Sequence, residues 1–381
     1  MAGAGAACHA GSVRWRPARW RAAAGALGAA VLVAAVLVLR GQVPPPTQPP
    51  PAAAPPPAVL ADPGLPVQDP LRAPRWRLFT PMPGAFDGMV GPQHVVYTRA
   101  DTDRLELTVR NRDTGEQLVR YIVPNDDAPW SSLLHDGLLL VVYGRQDVRL
   151  VVVDPATGEV RELAAPDGYS FRPRLVDLGE EVLLLGWHRE PRQSCVLAVQ
   201  PRTGTTRVAW CAERGKVPAW LYDGVDEVVW PASVGLPNSC PGWQRLRPGG
   251  EVEAVAPKAS PCGARGLVEL EGWQVTQRAE PALLAPMVVA TDGQRQLALG
   301  TAGSFVACGR HVYWAAATRG IDPDTLYRWL PGADYREVAY RLESIGRLML
   351  AAPRCTDGVL SVAVTTTHDP RLVELRSISR P

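Results

Sequence analysis

At 381 residues the chain has room for one large domain or two ordinary ones, and 46% hydrophobic with 20% charged residues is a globular composition that excludes a wholly disordered or collagen-like chain. The formal charge of +2 conceals an asymmetry: Arg14, Arg16, Arg19, Arg21 and Arg40 flank one apolar run, and without those five the chain carries 35 basic residues against 38 acidic ones. That remainder is mildly acidic, has only Lys216 and Lys258 as lysines and carries no basic stripe, which excludes nucleic acid as a partner.

In chain order, residues 1–21 form a basic tail and residues 22–40 an apolar run. Ala22 to Leu39 holds eighteen uncharged residues, enough at about 1.5 Å per residue to cross most of a ~30 Å hydrocarbon core. Four arginines before it and one after place the amino terminus in the cytoplasm. The run is long for a cleaved leader and no small-x-small site follows it directly, so it predicts an uncleaved signal anchor and a single-pass, type II protein of the cell membrane. Cys8 precedes the run and is therefore not a lipoprotein cysteine. Residues 41–74 read as a linker: Pro44 to Pro66 contains eleven prolines in twenty-three residues, a polyproline II spacer between the membrane and an extracytoplasmic domain.

Residues 75–381 are repetitive. The pattern is clearest in Val151-Val152-Val153-Asp154-Pro155-Ala156-Thr157-Gly158-Glu159-Val160, an apolar strand, a tight turn and a second strand. Pro155 presets φ, Asp154 can cap the turn, and Gly158 can take the positive φ of a bulged hairpin. Comparable turns fall at Asp113 to Gly115, Pro201 to Gly204, Pro248 to Gly250, Thr291 to Gly293 and Pro331 to Asp334, about 40 to 46 residues apart. A second marker precedes what reads as an inner apolar strand: Asp87-Gly88, Asp136-Gly137, Leu178-Gly179, Asp223-Gly224, Arg265-Gly266, Cys308-Gly309 and Asp357-Gly358. Seven markers, a period near 43 and almost no helical pattern predict an all-β, WD40-like fold, a seven-bladed β-propeller of four-stranded blades. Degenerate repeats around Gly266 and Trp273 leave counts of six or eight open. The last repeat is one strand short, and Arg75-Trp76-Arg77-Leu78-Phe79 has no partner of its own, so the amino-terminal strand is expected to complete the last blade and remove both free edges.

The segment Asp154-Pro155-Ala156-Thr157-Gly158-Glu159, with a second copy at Arg112-Asp113-Thr114-Gly115-Glu116, resembles the repeat of the quinoprotein-like and YVTN-type propeller superfamily. The order of basic start, single span, proline linker and propeller is similar to that of membrane-anchored surface propellers of actinobacteria. The resemblance implies a fold. Quinoprotein repeats carry a tryptophan soon after the Thr-Gly, and Val160 to Leu163 and Gln117 to Val119 lack it, so no quinone or other cofactor is expected.

Six cysteines lie beyond the anchor: Cys195, Cys211, Cys240, Cys262, Cys308 and Cys355, an even number in a compartment expected to be oxidising. Cys195 and Cys211 are each eight residues from Thr203, so a hairpin centred there sets them opposite each other. Cys240 and Cys262 flank the Gly249-Gly250 turn, and Cys308 with Cys355 remain, in equivalent places of neighbouring blades. No close Cys-x-x-Cys pair supports a thiolate metal site.

No catalytic residue is assigned. No nucleophile elbow, phosphate loop, dinucleotide fingerprint or sialidase box is present. His135 beside Asp136 reads as a turn entry rather than a catalytic pair. Acidic clusters at Asp101-Thr102-Asp103, Asn125-Asp126-Asp127 and Asp322-Pro323-Asp324 lack a full calcium-loop signature and read as turn acids. Trp187, Trp210, Trp220, Trp230 and Trp243 form an aromatic group, with Trp210, Trp220, Trp230 and Trp243 the candidate surface for a partner and packing between blades the alternative. The expected function is a non-catalytic binding or scaffold module with a protein or cell-envelope glycan partner, its candidate site being the channel mouth around Asp87, Asp136, Asp223, Arg265 and Asp357. The alternatives are a propeller enzyme, either a quinone-dependent dehydrogenase or a glycan-cleaving hydrolase, and an envelope sensor acting through a partner. A close carboxylate pair or an ion in the channel would favour the enzyme.

Overall fold

In a computed structural model the described residues are 64–379, apart from 71–73, 101–103, 125–129, 146, 191, 214–220, 224–226, 232–241, 257, 259–263, 279–285, 319–321, 344–345 and 369–370. The anchor, most of the proline-rich segment and the Cys240 and Cys262 positions lie outside them. No helix of the described residues is long and apolar enough to cross a membrane.

Seven antiparallel sheets follow one another along the chain. Blade 1 comprises β3 (Ala85–Val90), β4 (His94–Ala100), β5 (Arg104–Asn111) and β6 (Gln117–Pro124). Blade 2 comprises β7 (Trp130–His135), β8 (Leu138–Tyr143), β9 (Arg149–Val153) and β10 (Val160–Leu163), and blade 3 β11 (Tyr169–Leu178), β12 (Glu181–His188), β13 (Gln193–Gln200) and β14 (Thr205–Cys211). Blade 4 runs through β15 (Tyr222–Asp223), β16 (Val228–Pro231), β17 (Trp243–Leu246) and β18 (Glu253–Val255), and blade 5 through β19 (Ala264–Leu270), β20 (Trp273–Arg278), β21 (Met287–Thr291) and β22 (Gln296–Thr301). Blade 6 holds β23 (Phe305–Cys308), β24 (His311–Ala316), β25 (Thr325–Trp329) and β26 (Arg336–Arg341). Blade 7 holds β27 (Leu348–Leu350), β28 (Arg354–Thr356), β29 (Val359–Thr366) and β30 (Leu372–Ser379).

The ring closes as the amino-terminal segment predicted. Strand β2 (Arg77–Phe79) pairs antiparallel with β30, Leu78 opposite Arg376, and becomes the outermost strand of blade 7. Arg77 then ties this seam to the next blade through Asp113 at 2.6 Å and the Arg112 carbonyl at 2.6 Å. A shorter strand, β1 (Val67–Gln68), lies inside the segment read as linker and adds in parallel to β26, with Leu65 packed into the core between blades 5 and 6.

Strands of different blades meet along β3, β7, β11, β15, β19, β23 and β28, which identifies these as the innermost; in blade 7, β27 and β28 both pair with β29 and share the first-strand position. This corrects one expectation: the apolar strands that follow the marker glycines, such as the wholly buried β8, are the second strands. They are the most apolar because both faces are covered by neighbouring blades, whereas an innermost strand turns one face to the channel. Hydrophobic clusters fill all seven blade-to-blade seams. In one, Leu140, Val142 and Leu150 meet Leu184 and Leu197; the smallest, between blades 4 and 5, is Val229, Trp243, Val255 and Leu267. Beside that small cluster Arg245 pairs with Glu269 at 2.7 Å, Glu253 at 2.9 Å and the buried Glu227 at 3.6 Å.

Two turn classes build one end of the ring. The third and fourth strands are joined by the hairpin seen in the sequence: Gly158 takes φ +76°, its N–H donates to the Asp154 carbonyl at 2.8 Å, and Asp154 Oδ1 accepts from the Ala156 N–H at 2.8 Å. The first and second strands are joined in blades 2, 5 and 7 by two-residue turns with positive φ at both positions: Asp136-Gly137 (46°, 79°), Glu271-Gly272 (48°, 81°) and Asp357-Gly358 (46°, 71°). That is the type I′ geometry matched to sheet twist, for which Asp-Gly is among the strongest signals.

Candidate functional site

The two-residue turns hold their first side chains at the mouth of the channel. His135 ends β7, Asp136 follows it, Asp177 is the penultimate residue of β11, and Asp357 follows β28. The three strands belong to blades 2, 3 and 7. His135 Nδ1 and Asp177 Oδ1 are 2.8 Å apart, Asp357 shares a hydrogen bond with the Asp177 carboxyl, and Asp357 Oδ2 accepts from the Asp136 N–H at 3.3 Å. A ligating atom of each of His135, Asp177 and Asp357 lies within 4.8 Å of the others. His135 is 2% exposed, the Asp177 side chain 17%, and Asp357 opens to solvent.

Above this group is a cavity of about 760 Å³, walled by Gln93 and His94 of blade 1, His135 and Asp136 of blade 2, Glu180, Arg202 and Thr203 of blade 3, and Asp357 of blade 7. Arg202 crosses from the hairpin of blade 3 to Asp136, with its Nε 2.5 Å from Oδ2 and its Nη2 2.9 Å from the Asp136 carbonyl. Its own hairpin is held from behind by Arg161, which donates to the Pro201 and Arg202 carbonyls.

The electrostatics follow from this packing. Removal from water and the neighbouring Asp177 charge, reinforced by their shared hydrogen bond, push Asp357 up to about 6, since two adjacent carboxylates do not readily ionise together. Burial works against a charge on His135, but the hydrogen bond to Asp177 and the charges of Asp177, Asp357 and Asp136 outweigh it and raise its pKa. The Arg202 hydrogen bond holds Asp136 below the usual carboxylate range. Burial lowers His94, against the pull of Asp154. The cluster is a coupled acid with one histidine, able to hold a shared proton or a cation.

The Cys308–Cys355 disulfide joins β23 to β28, with Cα atoms 5.6 Å apart. It ties the innermost strands of blades 6 and 7 two residues before Asp357. Arg354, on the same short strand, pairs with Asp87 on β3 at 2.6 Å. The second disulfide, Cys195–Cys211, bridges residues directly opposite in the β13–β14 register.

Of the five mouth candidates, Asp136 and Asp357 come together. Asp87 does not join them: Asp87-Gly88 lies inside β3, the blade 1 turn being Gly91-Pro92-Gln93, and the Asp87 carboxylate is taken by Arg354. Arg265 likewise falls inside β19, one strand ahead of the true turn at Glu271-Gly272, and Asp223 ends β15; the side chains of both lie outside the described residues. Asp177 escaped notice, although it and His135 each stand two residues before a marker glycine, 42 residues apart and so one repeat apart.

The tryptophans do not make a platform. Trp230 and Trp243 are 0% and 2% exposed inside blade 4, and Trp210 packs on Trp230 with ring centroids 5.8 Å apart. Trp210 and Trp230 fill the seam between blades 3 and 4, Trp243 fills that between blades 4 and 5, and Trp220 lies outside the described residues. Asp324 is a buried turn acid whose Oδ1 accepts from the Thr318 N–H at 3.0 Å, and the other two acidic clusters lie outside the described residues.

No protein-family model matches the chain, and no curated protein sequence matches it. Solved structures do. The β-propeller domain of the trilobed protease from Pyrococcus furiosus, described as having an open velcro topology, is 13% identical with a TM-score of 0.51 over 80% of this chain and 95% of that one. YCF48 bound to D1 peptide is 10% identical with a TM-score of 0.50 over 83% and 98%. The acylaminoacyl peptidase of Pyrococcus horikoshii is 12% identical with a TM-score of 0.50 over 76% of this chain and 49% of that one. At such identities the likeness is one of fold, a seven-bladed propeller.

Proposed function

We propose that this chain is a non-catalytic binding module, a propeller held outside the cell membrane by the apolar run at residues 22–40, which engages a protein or envelope-glycan partner at the channel mouth. The observation that carries this is the cavity of about 760 Å³ formed by turns of blades 1, 2, 3 and 7, with polar groups displayed on a rigid ring. Two disulfides support an oxidising compartment, and the arginine-flanked run supports the tether. Membership of the quinoprotein-like, YVTN-type superfamily belongs to the same proposal and is supported by the Asp154 to Glu159 hairpin.

The test is capture of partners from envelope extracts by the full chain. Asp136→Ala combined with Arg202→Ala removes the polar rim and should abolish capture, while a rim change on the far side of the ring should not. Capture that survives the double variant rules out the mouth.

The carboxylate pair brings forward an enzyme as the second reading. Glycan hydrolysis by two carboxylates uses separations of about 5–5.5 Å or about 6.5–9.5 Å. Asp177 and Asp357 approach within 4.8 Å and share a hydrogen bond, closer than either geometry. Release of reducing sugar from envelope glycan by the wild-type chain, lost in Asp357→Asn, would nonetheless establish that reading.

A further inference from the structure

We propose that His135, Asp177 and Asp357 hold a divalent transition cation, Mn²⁺ or Zn²⁺, at the base of the mouth cavity; this deepens the binding reading above and rests on it. Donors on a single ion at bond lengths of about 2.0–2.4 Å lie no more than about 4.8 Å apart. All three donors here satisfy that limit. Adjacent ligands of one ion are separated by about 3 Å at those bond lengths, and His135 Nδ1 and Asp177 Oδ1 are 2.8 Å apart.

Turn chemistry does not explain the convergence, because the donors arrive on three blades and meet only when the ring closes. Neither carboxylate is matched by an arginine among the described residues: Arg202 is engaged by Asp136 and Arg354 by Asp87. The fold therefore brings a half-buried acid, Asp177, and a solvent-open one, Asp357, into hydrogen-bond contact around a histidine that is 2% exposed. Independently, the cavity opens on His135 and Asp357, giving an ion a route in and space for water ligands. The donor set selects the ion. Mg²⁺ and Ca²⁺ favour oxygen alone, whereas one imidazole with two carboxylates suits Mn²⁺ or Zn²⁺.

The experiment is calorimetric titration of the chelator-dialysed full chain with MnCl₂ and with ZnCl₂. The expected result is one saturable equivalent of at least one ion, weakened at least roughly tenfold by Asp177→Asn and by Asp357→Asn. It is unchanged by Asp292→Asn on a distant hairpin and not displaced by equimolar MgCl₂. Circular dichroism melts confirm that each variant folds, and Asp357→Asn gives an Asn-Gly pair that suits the same type I′ turn. Absence of saturable binding, undiminished binding in both variants, or displacement by equal Mg²⁺ overturns the proposal. Partner capture that persists through chelation while neither ion binds removes the metal alone. Ion binding with capture unaffected by the Asp136 and Arg202 changes removes the mouth reading alone.

Discussion

Replacing Asp357 by Asn should stabilise the metal-free protein at alkaline pH. The folded chain raises this carboxyl from the ordinary value near 3.8 to about 6, so its contribution to stability is full below about 3.8 and is lost as pH rises through about 6. At pH 8 an ionised Asp357 beside Asp177 is therefore a penalty. Two pK units would be about 3 kcal/mol for a fully buried group; Asp357 is exposed, and solvent screening reduces this to about 1 kcal/mol. The Asn amide also donates to the Asp177 carboxylate, and Asn-Gly keeps the positive φ of 46° and 71°. Urea unfolding in chelator at pH 8 should show the variant more stable by about 1 kcal/mol, equivalent to about 2 °C in Tm. At pH 4.5 the difference should shrink to about a third, and it should close below about pH 3.8. A variant less stable at pH 8, or a gain that persists unchanged at pH 4.5, refutes the repulsion argument.

Removing Cys308–Cys355 should cost more than removing Cys195–Cys211, about 4 against about 3 kcal/mol, because loops of 47 and 16 residues are released; urea midpoints of the two double Cys→Ala variants compare them. Trp230→Ala should destabilise by about 4 kcal/mol, since the indole is wholly buried, as a thermal melt will show. Glu106 is 3% exposed and accepts from Arg99 at 2.9 Å and Arg120 at 2.5 Å. Burial would raise its pKa, but the two arginines outweigh burial and lower it. Its stabilisation is present above the ordinary glutamate range and lost as pH falls through the depressed value. Glu106→Gln should thus cost about 2 kcal/mol at pH 7 and progressively less in acid.

What the sequence disclosed were the features fixed by local chemistry. Asp-Pro-Ala-Thr-Gly-Glu dictates its hairpin, Asp136-Gly137 and Asp357-Gly358 dictate theirs, and their period sets seven blades. The Cys195–Cys211 register followed from counting around Thr203, and the missing last strand pointed to β2. Errors arose where two segments share one local signal. Asp87-Gly88 and Arg265-Gly266 resemble turn markers but lie within innermost strands, where Gly88 leaves room for the Leu375 side chain 3.0 Å from the position a Cβ would occupy. Apolar character marked the second strands, not the channel-lining ones, because it reports coverage on both faces. The meeting of Asp357 with Asp177, and the addition of β1 to β26, depend on closing the ring and leave no trace in any single window.

Hydrogen exchange on the full chain, with and without its captured partner, shows directly which end of the ring binds. Binding at the mouth adds protection in the turns around residues 134–137, 177–180, 200–203 and 354–358, at one end of the channel. Protection confined to the opposite end of the ring, or to the outer strands, would contradict it.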